Sequence, residues 1–572
     1  MLDVLLRLRR ARTAPRPALA AAACVAMLAI AGPARATWPP ATQNLPVCTV
    51  TGAQNYRTAI SDGEGGMFVA WSDARYSITD IYVQHVLAEG SLAWLSTGAP
   101  ACLATGRQDQ VVLTRDGAGG IILAWRDYRN SQDGDIYAQR VDSTGVIRWL
   151  YNGVRVCVAP GQQQWPVICG DSLADSTGAH GAYVAWEDDR DAPRIYAQHL
   201  DYDGTPAWAV DGVPVSSSFA AQYQPAMICD HAGGAILAWS QQSADDYDVW
   251  AQHMDSTATG LWGAAGTRVC GAGGDQFWPV VVADTSRGVW VGWQDGRGAS
   301  QAVYAQHLGA DGSAWLATDG VPLCAAGSDQ LSPAFAADGG GGLFATWTDG
   351  RSGGSDLYAQ HVDALGFQQW DPLGVAIVTG GGGHTFPTMA ADGNGGMFAA
   401  WEDTRTGGSD IYAQQLDATG SAQWTVGGAA ISTAASNQYQ ATIVSSGDGT
   451  GVIVWSDLRG GNVDLFAQRV PLDAASMAQR SPRTLASSPN PARDVATLAF
   501  EVAAPARAQL VIFDCAGRRV RTVADAEFTA GSHRVAWDAR DDGGRRCPEG
   551  VYFARLAVGG RTVATRTLAL AR

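Results

Sequence analysis

The sequence predicts an all-β chain: an eight-bladed β-propeller with four-stranded blades, followed by a small β-sandwich. Three observations carry this reading. A phrase of the form W-x-D-x-R, followed by D-I-Y-A-Q, recurs in eight units, as in Trp401–Arg405 with Asp410–Gln414, its Asp and Arg in seven of them. Its Trp falls at Trp71, Trp125, Trp186, Trp239, Trp293, Trp347, Trp401 and Trp455, and five of the seven steps are 54 residues, the others 61 and 53. Each unit also divides into four short apolar or aromatic runs separated by G-G and D-x-x-G turns, the pattern of successive hairpins. A fixed period of this size means a propeller or a solenoid, and four strands per repeat is a propeller blade. A helical solenoid is excluded, because no unit keeps a 3.6-residue apolar period.

In chain order, residues 1–36 read as a secretory signal peptide. Arg7, Arg9, Arg10, Arg12 and Arg16 precede an apolar run from Ala18 to Gly32, and Ala34-Arg35-Ala36 forms an A-x-A cleavage site. The run is shorter than the roughly 20 apolar residues of a membrane helix. Cys24 lies inside it, unlike a lipoprotein cysteine, and no later stretch is apolar enough to span a bilayer. The expected location is therefore secreted or at the cell surface. The formal net charge is −16, and all 39 basic residues are Arg. Six of them lie in residues 1–36 and 14 in residues 483–572, so the body between is strongly acidic. An acidic body argues against nucleic acid or an anionic membrane as partner.

Residues 37–471 form the predicted propeller. In the unit 330–378, strands are expected near Pro333–Ala337, at Leu343–Trp347, at Asp356–Val362, and around Trp370 to Val378. The last unit stops at Phe466–Val470 and lacks its fourth strand, while Leu45-Pro-Val-Cys48 matches Val321-Pro-Leu-Cys324 and follows Trp38. Residues 38–50 are therefore expected to supply the outer strand of the last blade and close the ring, removing free sheet edges.

A residue needed once for catalysis would not recur in every blade. The repeated Trp71, Asp73 and Arg75, Trp125, Asp127 and Arg129, Trp401, Asp403 and Arg405, with Trp38 at the closure, are read as structural. The Arg is expected to pair with the Asp after Trp or the one before I-Y, and the Gln of D-I-Y-A-Q to satisfy backbone groups between blades. His85, His199, His253, His307 and His361 follow that Gln; spread around a ring they cannot share one metal, and they are read as solvated strand residues. Hairpins such as Asp392–Gly396 resemble calcium loops but lack the distal bidentate Glu. No cofactor is expected, calcium being the one ion considered. Cys48, Cys102, Cys157, Cys270 and Cys324 share a fourth-strand position that Ser216, Val378 and Ser432 fill elsewhere, so a buried small residue is expected there, as for Cys169 and Cys229 on first strands. This is no disulfide framework. Unit four departs from the phrase: Trp239-Ser-Gln-Gln-Ser243 loses Asp and Arg, and Asp245, Asp246, Tyr247 and Trp250 follow. These four are the candidate ligand-binding residues, the other reading being drift in a tolerant repeat. Unit three is longer, mostly near Asp171–His180.

Residues 472–488 read as a linker and 489–572 as a sandwich of six or seven strands. Its motifs are Ser488-Pro-Asn-Pro491, Phe513-Asp514 with the turn Ala516-Gly-Arg518, Trp537-Asp-Ala-Arg-Asp-Asp-Gly-Gly544, Gly550-Val-Tyr-Phe-Ala-Arg-Leu556, and the tail Arg566–Arg572. In combination these resemble the FlgD-type immunoglobulin-like domain and the type A C-terminal sorting domain of the type IX secretion system. The resemblance implies export across the outer membrane through that machinery, with removal of the domain or surface attachment. Arg566 stands where the family often has Lys. Cys515 and Cys547 flank hairpins here, and whether they pair stays open.

The element D-x-x-G-x-x-x-W, as in Asp142–Trp149 and Asp417–Trp424, is similar to the tryptophan-docking motif of eight-bladed quinoprotein propellers. That similarity implies blade architecture; the adjacent cysteine pair that stacks on the quinone is missing. G-x-S-x-G, H-E-x-x-H and P-loop motifs are absent. The expected function is a non-enzymatic propeller that binds an extracellular glycan or protein and is exported through its C-terminal domain. The alternatives are a secreted propeller enzyme, glycoside hydrolase-like or quinoprotein-like, and a structural adhesin or scaffold.

Overall fold

The computed structural model describes residues 38–171, 180–230, 232–285, 287–471, 485–488, 495–502, 506–514, 518–529, 531–558 and 561–570. The signal-like segment, most of the 472–488 linker, most of the unit-three insertion and Cys515 lie outside them. Among the described residues all regular structure is strand, and no helix is long and apolar enough to cross a membrane.

Residues 38–471 form eight four-stranded antiparallel sheets, each a sequential meander. Blade 1 is Gln54–Ser61, Met67–Asp73, Asp80–Val86 and Ala99–Cys102. Blades 2 to 7 repeat it, with first strands Gln108–Arg115, Gln163–Gly170, Gln222–Cys229, Gln276–Ala283, Gln330–Ala337 and His384–Ala391. Blade 8 is Gln438–Ser445, Gly451–Asp457, Asp464–Val470 and, from the other end of the chain, Leu45–Cys48, which pairs antiparallel with Asp464–Val470. First strands contact their neighbours from blade to blade all the way round, blade 8 against blade 1 included. The ring is therefore closed with these strands innermost. The second strands read as continuous apolar runs such as Ile121–Trp125 because both faces are covered by adjacent blades.

Successive blades are also fastened at the rim. The Nε1–H of Trp94 donates to the Ser143 carbonyl of the next blade's D-x-x-G turn at 3.1 Å, and Trp149, Trp208, Trp262 and Trp370 reach the equivalent turn of their next blade. Trp38 closes the circle on Ala88 of blade 1 at 2.8 Å. At Gly145 the turn takes φ +84° and a Cβ would stand 2.8 Å from the Trp94 ring, whereas blade 4 holds Ala258 there at φ 67°. In blade 5 the docking position belongs to Leu316, which packs on Gly366; Trp315, one residue earlier, is exposed and rests on His307.

The C-terminal strands form a three-stranded sheet (Leu485–Ser488, Ala496–Val502, Gly531–Trp537) and a four-stranded one (Arg519–Phe528, Ala506–Asp514, Gly550–Val558, Arg561–Leu570). Leu498, Phe500, Leu510, Ile512, Trp537 and Leu556 form their core. The first strand lies at 485–488, so the end of the segment read as linker already pairs in the sandwich.

Candidate functional site: the aromatic mouth of the ring

The repeated polar residues turn inward. In seven blades the fully buried Trp donates its Nε1–H to the Asp two residues on, at 2.7–2.9 Å. The Arg four residues after the Trp clamps the same carboxylate, at 2.5–2.7 Å through its Nη2. It stacks on the aromatic of D-I-Y-A-Q, as Arg75 does on Tyr82 at 3.7 Å. Its Nη2 also reaches the fourth-strand cysteine of the preceding blade, Arg129 meeting Cys102 Sγ at 3.2 Å. Those cysteines are buried, and burial pushes Cys48 up to about 11 and Cys102 up to about 12. Burial likewise makes them inert thiols rather than nucleophiles. Of the two aspartates considered as Arg partner, the one after Trp takes the ion pair. The one before I-Y is left with burial dominant, which raises Asp80 and Asp464 to about 6.

Two expectations differ from the structure. The Gln of D-I-Y-A-Q works within its own blade: Gln84 accepts from the backbone N–H of Trp94 and His85 and donates to the Leu95 carbonyl. The histidines are not solvated. Each pairs with the hairpin Asp of its blade, His199 with Asp171 at 2.7 Å and His307 with Asp284 at 2.8 Å. In the calcium-like hairpin, Asp392 accepts from Asn394 and Gly396 N–H with one oxygen and from Gln415 with the other, so protein donors occupy the carboxylate. Among the described residues no three His, Cys, Asp or Glu converge as a metal site requires. Cys169 and Cys229 sit on adjacent first strands; burial, and then a hydrogen bond with Cys229, push the Cys169 thiol well up.

Blade 4 lacks the clasp, and two other contacts stand in its place. Gln241 Oε1 accepts from Trp239 Nε1 at 3.4 Å and from Gln222 at 3.0 Å. Ser216, at the cysteine position of blade 3, donates directly to the Ala265 carbonyl at 2.9 Å. The equivalent carbonyl of blade 2, Asn152, receives Arg129.

What varies is the mouth of the ring. Each first strand carries a β-bulge near its start, and the bulged residue has positive φ in all eight blades: Tyr56, Gln110, Trp165, Gln224, Trp278, Ser332, Phe386 and Gln440, between 47° and 59°. A bulge re-aims a side chain out of the ladder. Trp165 and Trp278 are 53% exposed, unusual for tryptophan on a protein surface. With Tyr223, Tyr247, Phe277, Gln224, Glu187 and three prolines they line a cleft of about 740 Å³ across blades 3, 4 and 5. Tyr247 contacts both Tyr223 and Phe277, at 6.1 and 5.0 Å between ring centroids. The floor is polar, with the Glu187 carboxylate and the Gln224 amide oxygen engaged. Glu187, 7% exposed, accepts from Gln224 N–H at 2.7 Å and from Gln164 at 3.3 Å, and burial raises its pKa. Gln224 in turn accepts from Trp278 N–H at 2.8 Å.

Of the four residues singled out in unit four, Tyr247 lines this cleft. Asp246 accepts from Gly274 N–H at 3.0 Å and from Ser243, Asp245 is exposed, and Trp250 packs among the core residues between blades 3 and 4. The other rings went unnoticed in the sequence. Their traces in the sequence are Gln163-Gln-Trp-Pro166, Gln222-Tyr-Gln-Pro225 and Gln276-Phe-Trp-Pro279, each with an aromatic one or two residues before a strand proline, a pattern blade 7 shares in Phe386-Pro387.

Residues 489–559 match the family described as FlgD Ig-like domain, and the C-terminal segment is such a domain. Among curated proteins none is similar in sequence to the chain. Solved structures similar to it include PorZ, a surface component of the type-IX secretion system of Porphyromonas gingivalis (13% identity, 92% of this chain and 82% of that one, TM-score 0.27). Others are a Mycobacterium tuberculosis puromycin-hydrolyzing peptidase (15%, 74% and 61%, TM-score 0.38) and a Penicillium chrysogenum α-L-arabinanase (15%, 54% and 93%, TM-score 0.31). Similarities at these scores assign no activity to this chain.

Proposed function

We propose that the chain is an exported binding protein whose propeller holds a neutral oligosaccharide in the aromatic cleft of blades 3 to 5, and whose C-terminal domain engages the secretion machinery. The observation that carries the ligand class is the lining: exposed Trp165 and Trp278 beside Tyr223, Tyr247 and Phe277, with no cation among the lining residues. Flat rings accept the apolar C–H face of a pyranose, while amides and the Tyr hydroxyls serve its hydroxyls. An anionic ligand would want an Arg there. Hydrolysis of a glycoside needs two carboxyl groups, and Glu187 is the single one in the lining. The acidic body fits a neutral ligand better than an acidic one.

The test is a glycan array on the full chain, followed by calorimetric titration of the strongest neutral glycan. Trp165→Ala and Trp278→Ala should each weaken binding by about tenfold or more, as truncation of a buried aromatic anchor does, with unchanged melting. Binding of decaproline and no glycan would replace the reading with recognition of a proline-rich peptide in an aromatic groove. Turnover of the bound glycan, abolished by Glu187→Gln, would replace it with an enzyme.

A further inference from the structure

The bulge residues alternate around the ring. They are aromatic in blades 1, 3, 5 and 7 (Tyr56, Trp165, Trp278, Phe386) and polar in blades 2, 4, 6 and 8 (Gln110, Gln224, Ser332, Gln440). The four aromatics are 54%, 53%, 53% and 61% exposed. A single-blade repeat does not require this alternation, since the bulge and its positive φ are present in every blade.

The residue after the repeated Trp is Glu in two blades alone. It is Glu187 in blade 3 and Glu402 in blade 7, half a ring away. Glu402 accepts from Gln440 N–H at 2.7 Å, as Glu187 accepts from Gln224 N–H at 2.7 Å. In both places burial raises the carboxyl pKa, and a half-buried Tyr stands before the Gln, Tyr223 in one and Tyr439 in the other. Phe386 then corresponds to Trp165, and Tyr56 to Trp278, each four blades on. The cleft's framework is thus built twice, from blades 3, 4 and 5 and again from blades 7, 8 and 1.

We infer that the ring carries a second, quasi-equivalent oligosaccharide site formed by Phe386, Glu402, Tyr439, Gln440 and Tyr56, opposite the first across the channel mouth. This rests on the ligand class proposed for the first cleft. The copies are not identical. Asn55 replaces Phe277, Val463 replaces Tyr247, and Arg57 replaces Pro279. Two rings fewer make the second site the weaker one. Arg57 donates to Thr442 Oγ1 at 3.0 Å, and its charge works against the burial that raises Glu402. A chain long enough to reach both sites binds the second as an intramolecular event, and its apparent affinity exceeds that of a short fragment.

The experiment compares three full-length proteins: the unaltered chain, Trp165→Ala/Trp278→Ala, and Tyr56→Ala/Phe386→Ala. All four side chains are more than half exposed, so folding is checked by unchanged melting. Each protein is titrated calorimetrically with neutral hexasaccharides of β-1,4-glucan, β-1,4-mannan, β-1,4-xylan and α-1,5-arabinan. Expected are two sites per chain in the unaltered protein, the weaker lost in Tyr56→Ala/Phe386→Ala and the tighter lost in Trp165→Ala/Trp278→Ala. One site per chain, lost with the tryptophans and indifferent to Tyr56 and Phe386, overturns the second site and leaves the first standing. Binding of none of the four by the unaltered chain overturns both.

Discussion

The clasp and the mouth belong to the same eight blades and have opposite sequence behaviour. At the clasp, seven blades use one Trp, one Asp and one Arg in one geometry, and the eighth substitutes Gln241 and Ser216 for the lost groups. At the mouth the backbone is what repeats, a bulge with positive φ, while the side chain alternates between aromatic and polar. A buried polar network is all or nothing, because each member left unpaired costs its desolvation. An exposed bulge side chain carries no such cost, so its identity is free to answer to something outside the chain. Uniformity marks what holds the ring together, and patterned variation marks where a ligand would meet it.

The largest expected effect comes from breaking the clasp. Burial alone would push Asp403 up, but hydrogen bonds from Arg405 and Trp401 outweigh it and hold the carboxyl below its usual range. Asp403→Ala leaves Arg405 without its carboxylate and the buried Trp401 N–H without an acceptor. Loss of about 3 kcal/mol or more is expected, the cost of removing one partner of a buried ion pair. Denaturant unfolding of the full chain reads it. The tryptophan variants at the mouth should stay within about 0.5 kcal/mol in the same measurement. Equal losses at both places would erase the distinction.

A smaller effect tests whether blade 4 is compensated or merely damaged. Ser216→Ala removes the donor to the Ala265 carbonyl, which no clasp Arg serves in this blade. A loss of about 1–3 kcal/mol is expected, the cost of an orphaned buried group. Cys102→Ala should cost less, because the Asn152 carbonyl beside it keeps Arg129 as donor. Equal costs would mean that Ser216 replaces nothing.

Most of the fold was legible, and the reason is periodicity. Eight periodic Trp positions, seven of them in W-x-D-x-R, fix blade number, and the mismatch between the chain ends, Leu45–Cys48 against the missing strand after Val470, fixes how the ring closes. Partner choice was less legible. His199 reads as a solvated strand residue until the hairpin brings Asp171 under it, a pairing across 28 residues that strand alternation does not reveal. The cleft was the least legible part. Tyr247 stood out because blade 4 departs from the phrase, whereas Trp165 and Trp278 are marked only by the proline that follows each. Their exposure follows from a bulge, and positive φ at a tryptophan is not something a sequence pattern announces.

The smallest effect separates the two aspartates of a clasp by pH. Asp403 and Asp349 are held below the usual carboxylate range by their Arg and Trp partners despite burial. The unfolded chain therefore binds more protons there, and the stability they contribute is present above about pH 4 and lost as the pH falls below it. Asp80 and Asp464 are raised to about 6, first by burial and then by the neighbouring Asp73 and Asp457. For them the folded state binds more protons, so stability declines as the pH rises from about 4 to about 6 and is level above. Asp80→Asn should flatten that decline while leaving the acid limb untouched. The change is expected to be about 1 kcal/mol, a discounted share of what a shift to about 6 carries. Thermal melts of both proteins from pH 3 to 8 read it, and an acid limb that moves with Asp80→Asn would place the acid-labile charge at Asp80 rather than in the clasp.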